Sequence, residues 1–229
     1  MNNYIGIDIS INSTAIYIVS NLGENILSFT NKKDNNIYIK ELVRCGVKVF
    51  TQVREKSENY SENELIKLNY YNTLSDSIIS EILKFIDLSE KTYCQIEGYS
   101  FSKNTSSILD IVSLSVLIRR NLIVTINEID IKIIAPSSLK LETCKLVYEP
   151  IDIGKKKPKL IYANNQGITG GSFKKPQMFR AMIEGNIESP ILSMIITYKD
   201  LMDREKIPNP IEDIIDSIFA CIIRKKEIE

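Results

Sequence analysis

The sequence contains no histidine and no tryptophan. The missing histidine excludes Ser-His-Asp and Cys-His nucleophilic catalysis and every histidine-ligated zinc site. Any chemistry must come from carboxylates, lysines, hydroxyls or a metal held by oxygen. The four cysteines, Cys45, Cys94, Cys144 and Cys221, stand far apart with no CxxC pair, so neither a zinc ribbon nor a thioredoxin-type motif is on offer. Cys94 and Cys221 lie in apolar surroundings and read as core residues of a protein in a reducing compartment. No apolar run approaches the length of a membrane span, and the first residues lack the basic lead and apolar stretch of a secretory signal. Net charge is absent too: 29 basic residues balance 29 acidic ones. That balance gives no general attraction to nucleic acid, but distribution matters more than the sum. Between Ile131 and Arg180 ten Lys/Arg face only Glu142, Glu149 and Asp152, so the middle of the chain is basic by seven charges.

What is present is an ordinary globular composition, 44% hydrophobic and 25% charged over 229 residues, enough for one substantial core with insertions. Residues 4–10, 14–20 and 25–30 read as three strands, the last two joined by a short turn at 21–24. Residues 31–60 are polar apart from an apolar island at 45–50 and read as an irregular excursion or an extra strand. A helical period runs over 61–88, opened by Ser61-Glu62-Asn63-Glu64 as a capping box. Residues 91–97 form a strand, 106–120 a helix, 121–125 and 128–135 strands, and Pro136–Lys140 a short helix or turn. Residues 145–170 are polar, basic and turn-rich, with Lys155-Lys156-Lys157-Pro158-Lys159 inside. Helices follow at 173–184, 190–203 and 211–225. Strands alternating with helices predict an α/β layer fold.

Four carboxylates stand out. Asp8 is a lone acid among isoleucines in the first strand, costly to bury unless it is paired or holds a cation. Glu97 closes a later strand just before Gly98. Asp213 and Asp216 are three apart on the last helix and share a face. Each has a plainer explanation: a turn aspartate, a turn cap, or acids favoured by the positive end of a helix. Together they can converge, because neighbouring strands lie about 5 Å apart. Clustered carboxylates repel one another unless a cation neutralises them, and an all-oxygen ligand set favours Mg²⁺ or Mn²⁺.

Gly6-Ile7-Asp8-Ile9-Ser10, Ile96-Glu97-Gly98-Tyr99-Ser100-Phe101 and Glu212-Asp213-Ile214-Ile215-Asp216-Ser217 resemble, in order and spacing, the motifs of RuvC-type Holliday junction resolvases, in their phage and viral branch. Pro136-Ser137-Ser138-Leu139-Lys140 and Gly170-Gly171-Ser172-Phe173-Lys174-Lys175-Pro176-Gln177-Met178 are similar to a further element of that family. The resemblance implies an RNase H-like fold: a mixed central sheet flanked by helices, forming one nuclease domain over 1–229 with insertions at 31–60 and 141–169. It implies a homodimer that nicks opposing strands of a four-way DNA junction with two Mg²⁺ or Mn²⁺ ions per site. Asp8, Glu97, Asp213 and Asp216 would be the metal ligands, and Lys175 the active-site lysine, with Lys174 one position off. Ser10, Tyr99, Phe101, Lys140, Lys174 and Lys175 would meet DNA. Such a protein would work inside the cell at sites of DNA replication, in a host cell if viral.

Three rival readings remain on sequence grounds. An actin-like or sugar-kinase-type ATPase shares the strand–hairpin start, with Asp8-Ile9-Ser10-Ile11-Asn12-Ser13-Thr14 loosely like a phosphate loop. Against it stand the short chain and the missing Asp-x-Gly loop. Another RNase H-like nuclease, acting on RNA–DNA hybrids or flaps, would use the same acids. An idle DNA-binding relative would have little use for all four.

Overall fold

The computed structural model describes residues 1–99, 105–154, 159–204 and 206–229. Its centre is a six-stranded mixed sheet. The strands are β1 (Asn3–Asp8), β2 (Ser13–Ser20), β3 (Gly23–Thr30), β4 (Lys48–Thr51), β5 (Thr92–Glu97) and β6 (Ile129–Ile134), in the spatial order β4-β3-β2-β1-β5-β6. β2 is antiparallel to both neighbours, while β1/β5, β5/β6 and β3/β4 are parallel. The carboxyl ends of five strands therefore lie along one edge, and functional groups from distant parts of the chain meet there.

The sheet is buried on both faces, which explains why β1 and β2 lack a solvated side. Alternation along each strand still sorts residues between faces. Ile5, Ile7, Ile16, Ile18, Leu27 and Phe29 join one apolar cluster with helices α2 (Tyr60–Ile82) and α3 (Thr105–Thr125). Tyr4, Ala15, Tyr17 and Ile26 face the other cluster. That second cluster is built by α4 (Pro136–Val147), α5 (Lys175–Glu184), α6 (Leu192–Thr197) and α7 (Ile211–Ile228). Each fully buried isoleucine stabilises the fold by roughly 1.5–3 kcal/mol.

α7 lies directly against β1 because of one residue. A Cβ on Gly6 would sit 2.0 Å from the Ser217 carbonyl oxygen and 2.5 Å from the Cys221 nitrogen. Gln95 on the adjacent strand donates to the Ala220 carbonyl at 3.2 Å and ties the same helix to β5.

Several expectations from sequence change. Residues 31–60 are not simply a loop: they hold a short helix, α1 (Ile37–Arg44), and β4, a parallel edge strand. Residues 121–125 are the last turn of α3 rather than a strand, because Leu114, Ile118 and Leu122 recur at helical spacing and are buried together. α2 is capped two residues earlier than the expected capping box, by Asn59, which accepts from the Glu62 amide at 3.1 Å, and it ends at Ile82, short of residue 88. Pro136–Lys140 opens a helix that runs on to Val147, and residues 145–170 contain a two-stranded hairpin of β7 (Pro150–Asp152) and β8 (Leu160–Tyr162). The expected helix over 190–203 is α6 followed by a 3-10 turn at Lys199–Asp203. Among the described residues no helix is long and apolar enough to cross a membrane.

Gly6→Ala should cost about 3 kcal/mol or more in urea unfolding, since the obstacle is helix backbone that cannot swing aside. Gly171→Ala, where an added Cβ meets nothing within 4 Å, should stay within about 0.5 kcal/mol of the parent. Equal stability for the two variants would refute the close packing of α7 on β1.

Candidate metal centre

β1 and β5 run parallel with Ile7 opposite Ile96, so the next residues, Asp8 and Glu97, end their strands side by side. Both fall on the α7 face, in step with Gly6 and Gln95. α7 brings its first two turns to the same edge, and Asp216 precedes Ser217, the residue whose carbonyl Gly6 admits. One carboxylate oxygen from each of Asp8, Glu97 and Asp216 lies within 4.8 Å of the others. Asp213, one turn earlier and 3% exposed, is not part of that close trio but lines the same cleft as Asp8 and Glu97. The cleft is about 220 Å³, walled on its polar side by these acids, Lys140 and Lys175, and on its apolar side by Ile9, Ile108 and Ile111.

Lys175 is the first residue of α5. The Gln177 side chain accepts from the Lys174 amide at 2.8 Å and closes the first turn, while Met178, Phe179 and Met182 sink the helix into the core. From there Lys175 Nζ forms an ion pair with Asp216 Oδ2. Lys174 is exposed and makes no ion pair among the described residues. Of the adjacent lysines, only Lys175 turns inward.

Burial dominates the electrostatics. It pushes the Asp8 carboxyl up to about 6, with the Lys175 ammonium opposing and the Asp216 charge assisting. Burial also holds Glu97 and Asp213 well above the usual carboxylate range, in both cases reinforced by the charge of Asp8. Around Lys175 burial disfavours the ammonium, but Asp216, Asp8 and Glu97 together outweigh it and hold its pKa above the ordinary lysine value. Lys175 and Lys140 against four acids still leave an excess of negative charge in a low-dielectric pocket, an arrangement that a cation relieves. Two orphaned atoms point the same way. Asp213 Oδ2 and Asp216 Oδ1 are buried with no hydrogen-bond partner, which is costly unless something positive meets them. Asp8, Glu97 and Asp216, with Asp213 beside them, therefore fit a hard, oxygen-seeking cation.

The remaining expected site residues fall as follows. Lys140, on α4, lines the cleft, and its charge favours ionised Glu97. Ser10 lines it too, but its hydroxyl is engaged in the β1–β2 turn, donating to the Ser13 carbonyl at 3.0 Å and accepting from the Ser13 amide at 3.1 Å. Tyr99 sits at the cleft, its hydroxyl accepting from Arg119 Nη2 at 2.8 Å. Phe101 and Lys155–Lys157 lie outside the described residues.

No protein-family model and no curated protein matches the sequence. Solved structures do resemble its trace. Thermus thermophilus RuvC in complex with a Holliday junction substrate aligns over 97% of this chain and 92% of its own, at 7% identity and a TM-score of 0.41. The yeast mitochondrial Holliday junction resolvase Ydc2 aligns over 96% of this chain and 75% of its own, at 11% identity and a TM-score of 0.49.

Sequence reasoning passed over four residues at or beside the cleft. Glu212 is half-buried at the start of α7, where burial raises its pKa and Lys175 opposes the rise. Ile108 and Ile111 form the apolar wall, and Arg119 anchors Tyr99. Glu212 stands within the last of the quoted motifs, while Ile108, Ile111 and Arg119 carry none, and only the α3 period could have placed Ile108 and Ile111 on one face.

Raised carboxylate pKa values make the metal-free protein less stable as pH rises. The contribution of Asp8 is fully present below about pH 4 and is lost as pH passes through about 6. Asp8→Asn should therefore stabilise the metal-free protein at pH 7.5 by roughly 1–3 kcal/mol, a gain that fades below pH 6. Lys175→Met should do the opposite, lowering stability by about 2–4 kcal/mol because Asp216 is left buried and unpaired. Thermal unfolding in chelator-treated buffer measures both; shifts of the same sign would contradict this account. With Mg²⁺ or Mn²⁺ added, the parent should gain thermal stability more strongly at pH 8 than at pH 5, since ligands must lose protons to bind, and Asp8→Asn should lose most of that gain.

Proposed function

We propose that this chain is a metal-dependent endonuclease of RNase H-like fold, one nuclease domain over 1–229, that resolves four-way DNA junctions. The observation that carries the reading is the buried meeting of Asp8, Glu97 and Asp216 within 4.8 Å, with Lys175 on Asp216. These are the acids and the lysine that the RuvC-type motifs single out in the sequence, and nothing in their chain separation would otherwise bring them together.

Asp8, Glu97, Asp213 and Asp216 would hold two Mg²⁺ or Mn²⁺ ions. When bound, such a pair lowers the pKa of an attacking water and steadies the leaving 3′-oxygen, giving a 5′-phosphate product. The protein's own residues supply the rest. The carboxylates fix where the scissile phosphate sits, because their strands and helix are packed on both sides and cannot drift. Lys175 has three ammonium hydrogens, so it can keep Asp216 and still donate to a non-bridging phosphate oxygen, where charge grows in the transition state. Lys140 adds a second cation at the cleft mouth. Tyr99, held by Arg119, offers a ring face for an unstacked base. Ile9, Ile108 and Ile111 keep that side of the cleft dry, which strengthens every charge interaction within it.

A homodimer would present two such centres to opposing strands of one junction. Contacts to phosphate would dominate affinity and make it sensitive to salt. An intracellular setting agrees with four cysteines that are all free.

A synthetic four-way junction with Mg²⁺ or Mn²⁺ should be cut by paired, symmetric nicks. Asp8→Asn and Asp216→Asn should each reduce the rate at least about 100-fold while binding of the junction survives. Cutting of RNA–DNA hybrids in preference to junctions would move the assignment to another RNase H-like nuclease. Tight ATP binding with no cutting of any branched DNA would overturn it.

A further inference from the structure

Beyond the acidic cleft, the same edge of the sheet carries a second polar feature. Asn12, Asn31 and Gln52 stand on a single rung across β2, β3 and β4. The Asn31 amide donates to the Asn12 carbonyl at 3.0 Å, and the Gln52 amide donates to the Thr30 carbonyl at 2.8 Å. Ser13 pairs with Thr30 and Thr30 with Thr51, so these three residues are the first beyond the regular ladder on adjoining strands. Their carboxamides, with Arg54, Lys56 and Tyr70, line a groove of about 250 Å³ that has no acid in its lining. The contrast with the neighbouring cleft, lined by three carboxylates, is sharp.

The groove is built rather than incidental. Arg54 donates to the Tyr71 hydroxyl at 2.9 Å and faces Asp110 at 3.7 Å, and Asp110 also meets Lys67 at 3.4 Å. Lys67 also pairs with Glu64 at 2.9 Å, so Arg54 is fixed by a charge-balanced cluster behind the groove. The Asn31 side chain donates to Asn12 Oδ1 at 3.0 Å and holds that pair in register. Lys56 is exposed and makes no ion pair among the described residues. The β1–β2 turn joins groove to cleft: Ile9 and Ser10 line one, Ile11 and Asn12 the other.

We infer that this groove is a second phosphate-binding subsite, taking the DNA backbone about two to four nucleotides from the scissile phosphate. The inference rests on the nuclease reading above. The ligand class follows from the chemistry: amide, guanidinium, ammonium and phenol donors with no lining acid suit a phosphodiester. The distance follows from the sheet. From β1, which carries Asp8, to β4, which Gln52 follows, is three strand spacings, about 14 Å. The axial rise of about 3.4 Å per nucleotide makes that at most roughly four nucleotides, and an extended strand, whose phosphates stand nearly twice as far apart, makes it about two. The groove would fix the direction in which a strand leaves the metal centre, and so the register of the cut.

The test uses the full chain carrying Lys56→Gln with Gln52→Ala, both at the surface and both outside the metal centre. Binding of a synthetic four-way junction is followed by fluorescence anisotropy without divalent metal, across a salt series. Binding should weaken about 5–10-fold and the slope of log affinity against log salt should fall by about one. A walk of single neutral methylphosphonates away from the cut adds a position-specific readout. The parent should lose affinity at a position between the second and the fourth and the double variant should not. If the parent cuts junctions but the variant binds with the same affinity, salt slope and methylphosphonate profile, the subsite is refuted while the nuclease assignment stands. If the parent neither binds nor cuts branched DNA, both fall.

Discussion

The contact on which the whole arrangement depends is the seating of α7 on β1 at Gly6. Helices normally pack on sheets through side chains on both surfaces. Here strand and helix backbones approach until no Cβ fits between them. That approach brings Asp216 and Asp213 down to the level at which Asp8 and Glu97 end their strands. With a larger residue at position 6 the helix would have to stand off, and the three carboxylate oxygens now within 4.8 Å would separate. The cluster of Ile214, Ile215, Ile218 and Phe219 beneath the helix provides the free energy that holds the acids together against their repulsion.

That repulsion explains the other oddities of the site. An acid buried alone shifts its pKa and neutralises; several buried together do so more strongly. The raised values at Asp8, Glu97 and Asp213, the inward ammonium of Lys175 and the two unpartnered carboxylate oxygens all express one excess of negative charge. The fold tolerates the excess because hydrophobic burial on both sheet faces is large by comparison. A site strained in this way is primed for a cation. The neighbouring groove is its electrostatic opposite, so a strand of DNA crossing both would meet the cation-seeking cleft only where the metal sits.

The legible parts of this design were the local ones. β1, β2, β3 and β5 declare themselves by β-branched runs with an acid or a turn at the end, and the long helices by their period. The four acids and the Lys174-Lys175 pair could be named because their motifs keep a known order, but which lysine turns inward is decided by the start of α5. Elsewhere local pattern misled or was mute. Asn121–Thr125 is rich in β-branched residues, yet the period set by Leu114 and Ile118 carries the helix through it. β4 is only four residues long and is held by its pairing to β3, a partner that composition cannot announce. The role of Gly6 depends on a helix more than two hundred residues away.

The groove was invisible in the sequence for the same physical reason. Asn12, Asn31 and Gln52 are unremarkable in isolation: one follows a turn, one follows a strand, one lies in a polar stretch. Only strand register makes them a rung, and register is a long-range property fixed by which hydrophobic faces must be buried. The carboxylates differ because each is chemically conspicuous where it stands, an acid in an apolar run. A neutral amide at a strand end gives no such signal. Chemistry that relies on charge in the wrong place can be read from a sequence one residue at a time. Recognition that relies on neutral donors in the right place has to wait for the sheet that aligns them.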